Sequence, residues 1–107
     1  ESTVVTTISS SATPTPARAS THTLYIITAL AEAATFGAPT GTPVQGDRLL
    51  LRFKDDGTAR GIGHNAIYRA IGVTLLTTTV VNKIHYELFI YNATDNKWDG
   101  VYVGSEA

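Results

Sequence analysis

The chain has 107 residues, 43% of them hydrophobic, and a formal net charge of −1. This length is enough for one domain with a modest core. The near-neutral charge, without a basic run, argues against nucleic-acid binding through phosphates. The absence of cysteine rules out disulfides and thiolate chemistry. Because small secreted domains often depend on disulfides, the composition favours assembly in the cytosol.

Signals for a membrane or for secretion are not evident. No apolar run approaches the length that crosses a membrane, and no signal-peptide pattern is present. We therefore expect no membrane insertion. The chain begins at Glu1 rather than at Met, which favours a fragment of, or a product cut from, a longer protein.

The first 21 residues are rich in Ser, Thr and Ala and contain Pro14 and Pro16. This composition is typical of a flexible linker, but the β-branched run in Ser2–Ile8 favours a strand. We predict that residues 1–21 form a Ser/Thr/Pro-rich arm with an edge strand and a Pro-stiffened connector, followed by a β-sandwich domain at 22–107. A sharper alternative is an arm that pairs with a neighbouring subunit.

The next two segments are predicted as strands. Thr23–Ala29 is apolar and β-prone enough for a buried strand. Leu30–Phe36 contains helix formers, but it is too short for a stable helix and is followed by Gly37 and Pro39, so it is also predicted as a strand. The Pro- and Gly-rich stretch from Pro39 to Gly46 is predicted as a loop.

Arg48–Asn65 is the stretch around which the rest of the prediction is arranged. Apolar side chains recur at every second position of Arg48–Lys54, the period of a half-buried strand. Asp55–Gly57 supplies a turn, with a positive φ at the glycine. We predict a hairpin with Phe53 opposite Ala59, because this register keeps charged side chains off the apolar face.

The remaining segments complete an all-β pattern. The predicted elements are a short strand at Ala66–Tyr68, a turn at Arg69–Gly72, a β-prone run at Val73–Thr79 extending to Val80-Val81, a turn at Asn82-Lys83, and strands at Ile84–Tyr91 and Trp98–Val103 joined by the polar loop Asn92–Lys97. About eight or nine short strands with turns between them predict an antiparallel β-sandwich or a jelly-roll-like fold.

The C-terminal hairpin has two apolar faces if Tyr91 pairs with Trp98. The predicted core face is mostly aliphatic: Ile84, Tyr86, Leu88, Ile90, Val101 and Val103. The other face is the candidate interface or ligand surface, because aromatic side chains with polar groups are typical of contact surfaces: His85, Glu87, Phe89, Tyr91, Trp98 and Tyr102. Three alternatives stay open for this aromatic face: a cover formed by the chain's own N-terminal segment or loops, a subunit interface, and a sugar-stacking platform on Trp98, Tyr91 and Tyr102.

Catalytic and metal-binding patterns are not found. The three histidines are far apart and lack metal-ligand spacing. Asp55-Asp56 suits a solvated turn better than acid–base catalysis, and Asp95 and Asp99 suit a polar loop. We therefore expect a protein that is not an enzyme and has no catalytic residue, cofactor or metal ion.

Several segments carry a family resemblance: SSSATPTP (9–16), LYIITALAEAATFGAPTGTPVQGDRLLLRFKDDGTAR (24–60), NAIYRAIGVTLLTTTV (65–80) and YNATDNKWD (91–99). This pattern resembles a C-terminal β-domain common in tailed-bacteriophage virion proteins, including tail-fibre-like proteins. GAPTGTPVQGDRLLLRFKDDGTAR followed by NAIYRA is its most specific part. The chain departs from the pattern at Gly61–His64, where a bulkier apolar or aromatic run is expected.

The resemblance implies a structural protein displayed on a phage particle that acts in assembly, in host-surface attachment, or in both. It implies a virion location after assembly in the bacterial cytoplasm. The expected partners are copies of the same chain in a homotrimer, other virion proteins and a host-surface glycan. Two alternative functions are a capsid-surface decoration protein and a carbohydrate-binding module.

Overall fold

The computed structural model describes residues 3–107, so Glu1 and Ser2, the start of the predicted arm and strand, lie outside the described residues. The described residues form eight β-strands and no helix. The strands are β1 (Val4–Ile8), β2 (His22–Leu30), β3 (Ala34–Phe36), β4 (Arg48–Asp55), β5 (Ile62–His64), β6 (Tyr68–Ala70), β7 (His85–Asn92) and β8 (Lys97–Ser105). The predicted all-β class is confirmed.

The strands make a large sheet in the order β1-β2-β4-β7-β8-β6 and a small sheet of β3 and β5. The predicted antiparallel arrangement is wrong for most of the fold. Four of the six strand pairs in residues 3–107 are parallel, and only β4–β7 and β7–β8 are antiparallel. The reason lies in the connections between strands. Between β1 and β2, and again between β2 and β4, the chain leaves the large sheet, crosses to a second layer and returns in the same direction.

This crossing gives the first two thirds of the chain a solenoid-like path. Successive returns to the second layer are themselves joined by backbone hydrogen bonds. These bonds run from Thr35 N–H to the Ala12 carbonyl (3.0 Å), from Thr40 N–H to the Pro16 carbonyl (2.9 Å) and from Ala34 N–H to the Gly61 carbonyl (3.0 Å). Residues 12–18, β3 with the segment after it, and β5 therefore stack as one layer over the large sheet.

The predicted hairpin at Arg48–Asn65 is wrong, although its first strand and its turn are confirmed. β4 alternates as expected, and Gly57 has a φ of 108°. However, β4 lies between β2 and β7, so Phe53 is paired with His85 and not with Ala59. The chain after the turn moves to the second layer, where β5 pairs with β3. A local turn signal does not specify which distant strand becomes the partner.

Two further predictions differ from the structure. Val73–Thr79 forms no strand; its one β-bridge joins Thr78 to Gly61, and Leu75 and Leu76 pack against the core from this irregular segment. The short strand expected at Ala66–Tyr68 lies at Tyr68–Ala70. β-propensity marks residues that fit a half-buried surface, and an irregular segment lying on the core meets the same requirement.

The core lies between the two sheets. Phe36 and Ile62 of the small sheet belong to the same buried cluster as Phe53, Phe89 and Trp98 of the large sheet. Tyr91 pairs with Trp98, the pairing assumed for the two-faced hairpin, and a bulge between Leu88 and Phe89 shifts the register of the pairs on its other side. The predicted core face of this hairpin is wrong. The aromatic face is buried instead, because only that face meets the second layer. Packed sheets typically lie about 10 Å apart, a spacing that large rings fill well.

Candidate interaction surface

The structure separates the six residues of the predicted aromatic surface. Five of them are buried in the core: His85, Glu87, Phe89, Tyr91 and Trp98. Tyr102 is 55% exposed, on the opposite side of the sheet. The arrangement matches the alternative in which the chain's own loops cover this face. Side chains that are at most 7% exposed cannot form a contact surface for a subunit or a sugar, so the prediction is wrong for these five residues.

His85 and Ser105 lie 2.7 Å apart (Nδ1 to Oγ), a distance that would suit a catalytic base and nucleophile. The other ring nitrogen, Nε2, accepts a hydrogen bond from Val80 N–H at 3.0 Å. An imidazole whose Nε2 accepts carries its proton on Nδ1, so Nδ1 donates to Ser105 and cannot remove a proton from it. The pair therefore holds β7, β8 and the Val80 segment together rather than activating a nucleophile.

Glu87 joins three parts of the chain at the centre of the core. Its Oε1 lies 2.8 Å from His64 Nε2 on β5, and its Oε2 accepts a hydrogen bond from Leu76 N–H at 2.9 Å. Glu87 is fully buried. In the part of the chain that the structure describes, no buried side-chain nitrogen or oxygen lacks a partner. The core polar groups thus serve to fix one packing of the two layers.

Asp55 holds the turn at the end of β4. Its carboxylate accepts hydrogen bonds from Gly57 N–H (3.0 Å), Asn82 N–H (2.9 Å) and the Thr79 hydroxyl (2.7 Å). Burial by itself raises the pKa of Asp55, but these hydrogen bonds, led by the one from Asn82, outweigh burial and hold the pKa below its ordinary value. Asp55 is therefore a structural carboxylate and is ionised in the folded protein.

A carboxylate with a lowered pKa stabilises the folded state above its unfolded pKa, and this stabilisation is lost as the pH falls through the folded value. We therefore expect Asp55→Asn to lower the free energy of unfolding by about 2 kcal/mol near neutral pH. Urea denaturation at both pH values would measure this loss, and the difference in unfolding free energy between variant and wild type should be smaller at about pH 2. Asp56→Asn, which alters an exposed ion pair with Arg60, should cost less than about 1 kcal/mol. An Asp55→Asn deficit that is equal at both pH values would contradict the assignment.

The outer face, defined as the side of the large sheet that turns away from the small sheet, carries a row of apolar side chains. Leu24 pairs with Leu50, Leu50 with Leu88, and Leu88 with Tyr102, so the row crosses four adjacent strands in register. The leucines are half-buried and Tyr102 is exposed. None of the described strands forms a second layer over this row, which therefore makes a continuous apolar surface.

Three cationic side chains stand beside this row on β4. Arg48, Arg52 and Lys54 alternate along the strand and share the outer face with Leu50. None of them forms an ion pair with any residue from 3 to 107, although Arg52 Nη1 donates a hydrogen bond to the Tyr86 hydroxyl at 3.3 Å. The outer face therefore combines apolar area with positive charge that no carboxylate of residues 3–107 pairs with.

The paired arginines elsewhere make this arrangement distinctive. Arg18, Arg60 and Arg69 each contact a carboxylate at 2.8–3.0 Å. Within residues 3–107, acidic partners are therefore present for these three arginines and absent for the cations on β4. The alternation of β4 in the sequence already placed these cations opposite the buried side chains. That pattern was the available signal for the outer face, but the predicted surface was placed on the aromatic face of the C-terminal hairpin.

Shallow depressions follow the outer face. One, of about 320 Å³, is lined by Leu24, Leu50 and Leu88 together with Arg48 and His22. Another, of about 390 Å³, lies on the same face beside β7 and β8, where it is lined by Tyr86, Tyr102 and Glu106. These depressions are open and shallow, which suits contact with a surface or an extended ligand better than enclosure of a small molecule.

Other kinds of site are not found in the described residues. From residue 3 to 107, no group of three or more His, Cys, Asp or Glu side chains is arranged to hold a metal ion. The same residues contain no helix long and apolar enough to cross a membrane. Comparisons of the chain with protein-family models, with curated proteins and with solved structures find no match.

Proposed function

We propose that the chain is a structural module of a bacteriophage virion, of the tail-fibre-like kind, that acts in particle assembly, in host-surface attachment, or in both. The resemblance of residues 24–60 and 65–80 to a virion β-domain supports this proposal. The strongest support comes from the outer face, where an apolar row across four strands lies beside three cations that form no ion pair with any residue from 3 to 107. Such a surface suits binding to another macromolecule.

The partner of this surface is an apolar patch with carboxylates at its margin. Burial of Leu24, Leu50 and Leu88 contributes affinity, and the cations of β4 select against partners with positive charge. The buried hydrogen bonds of Glu87 and Asp55 keep the sheet in one shape before contact. A surface formed in advance loses less conformational entropy on binding.

The test begins with the position of the chain in the particle. An antibody against the 107-residue chain is applied to purified particles of the phage that encodes it, and gold label is located by electron microscopy. Label on tails or appendages is the expected result. Label on the head lattice favours the capsid-decoration alternative, and particles without label contradict a virion role.

Leu88 lies within the apolar row and offers the sharpest variant of the outer face. We expect Leu88→Asp to reduce incorporation into particles, or their attachment to host cells, by at least about tenfold, because a carboxylate placed in a contact of this kind is desolvated without a partner. Val81→Asp is the matched control, since Val81 is an exposed valine away from this row. Unchanged assembly and attachment of a folded Leu88→Asp protein would contradict the assignment of the outer face.

The carbohydrate-binding alternative now depends on Tyr102 in place of the buried Trp98. The exposed ring of Tyr102 lies over Gly104, next to Tyr86 and the depression at Glu106. An exposed ring of this kind can stack on a sugar. Competition of free host polysaccharide for attachment would favour this alternative over a protein partner.

A further inference from the structure

The large sheet ends in two edge strands that differ in protection. β1 forms one edge and β6 the other. An edge strand presents unpaired backbone N–H and C=O groups that can pair with a strand from another chain. Proteins usually prevent such pairing with short edge strands, charged side chains, proline or bulges. A comparison of the two edges therefore indicates which of them is available.

The β6 edge is protected. β6 has three residues, and its central residue, Arg69, forms ion pairs with Asp99 at 2.8 Å and with Asp95 at 3.0 Å. The charged cluster and the short strand leave little room for an added strand. A head-to-tail chain of subunits, in which β1 of one copy pairs with β6 of the next, is therefore disfavoured.

The β1 edge has none of these protections. β1 pairs with β2 over five consecutive residues without a bulge. Its sequence, VVTTI, contains no charge, glycine or proline, and no charged residue occurs between Thr3 and Ala17. β1 is thus a regular, uncharged and β-branched edge, the kind that accepts another strand most readily.

The side chains of β1 are also incompletely covered. Val5 is 55% exposed on the outer face. Val4 is 37% exposed although it pairs with the buried Thr23 and so belongs to the core side of the sheet. An additional strand along this edge would cover both valines and extend the core side of the sheet by one strand.

We propose that β1 pairs with β1 of a second copy of the chain, antiparallel and about a two-fold axis at Thr6. In this register Thr6 faces its own counterpart, Val4 faces Ile8 and Val5 faces Thr7. Each apolar side chain on the core side then meets an apolar side chain, and the two large sheets join into one. A two-fold contact uses the same surface on both copies, and the absence of charge on β1 removes the repulsion that such self-pairing could bring.

The proposal goes beyond the virion role and does not depend on it. The test measures the mass of the 107-residue chain by sedimentation equilibrium over a range of concentrations. We expect twice the monomer mass of 11.4 kDa. Thr6→Lys and Thr6→Glu should each sediment as monomers, because each places two like charges together at the axis. An equimolar mixture of the two variants should form dimers again, since opposite charges then meet. Thr58→Lys, which makes the same exchange at an exposed turn residue, should remain dimeric.

Four results would overturn the proposal. They are a monomeric wild type, a trimeric mass such as the family resemblance implies, a Thr6→Lys protein that still forms dimers, and a mixture of folded variants that does not associate. Amide hydrogen exchange of the wild type gives a second measurement that needs no substitution. Exchange at Val5–Thr7 should slow as the protein concentration rises, and exchange that is independent of concentration would equally refute pairing at this edge.

Discussion

Replacing Phe36 with alanine is expected to lower the free energy of unfolding by about 3–5 kcal/mol. Phe36 is fully buried at the end of β3, and its ring centroid lies 5.6 Å from that of Phe53 and 5.8 Å from that of His64. β3 and β5 have only three residues each, so few other side chains attach the small sheet to the large one. Removing the ring leaves a cavity that the surrounding strands can only partly close.

Urea denaturation followed by Trp98 fluorescence would measure this loss. Since a domain of this kind is stable by about 5–15 kcal/mol, the variant should be close to unfolding at elevated temperature. Ile71→Ala, which removes an exposed apolar side chain, should change the unfolding free energy by less than about 0.5 kcal/mol. A loss at Phe36 as small as the loss at Ile71 would show that the small sheet does not depend on this ring.

The second large effect is expected at Glu87. Glu87→Leu should cost about 3–5 kcal/mol, because it leaves His64 and the Leu76 N–H without their partner inside the protein. Glu87→Gln should cost less, since the amide oxygen can still accept from Leu76 and the amide nitrogen can donate to His64. The same denaturation experiment would rank the two variants.

A double-mutant cycle tests the coupling between Glu87 and His64. If the two side chains act as a pair, His64→Leu combined with Glu87→Leu should cost less than the sum of the single changes, because neither partner is then left alone in the core. Additive costs would mean that the 2.8 Å contact contributes nothing of its own. Glu106→Gln serves as the surface control for loss of a carboxylate, and Glu106 is exposed.

Both expected effects concern the attachment of the second layer, and this attachment also determines which surface is free for contact. Phe36 and Glu87 hold the small sheet and the Leu76 segment against one side of the large sheet. The other side then remains open with its leucine row and the cations of β4. Loss of either attachment should therefore disturb the outer face indirectly, so binding assays of such variants need a folding measurement beside them.

Local features of the fold were predictable from the sequence. Alternation identified β4, and β-branched and aromatic content identified β2 and β7. The two strands of the C-terminal hairpin and the polar loop between them were predicted, and the pairing of Tyr91 with Trp98, on which the sorting of its faces depended, is present in the structure. Gly57 was expected at a positive φ, as the structure has it. Each of these features depends on residues close together in the chain.

Strand partners were not predictable in the same way. The turn at Asp55–Gly57 suggested that β4 would fold back onto the next segment, but β4 pairs with β2 and β7. Val73–Thr79 had the composition of a strand and lies on the core as an irregular segment, held in part by the Glu87 contact with Leu76. Both outcomes depend on residues distant in sequence, which local propensity does not take into account.

The sequence by itself determined that the C-terminal hairpin has two apolar faces, because a strand period of two sorts its side chains into an aliphatic and an aromatic set. Only the tertiary structure decided which of the two is the core. Either set could be buried as far as hydrophobicity is concerned. The aromatic set is buried because the second layer, with Phe36 and His64, packs on that side of the sheet. This layer supplies contacts for the aromatic rings of the hairpin and a partner for Glu87.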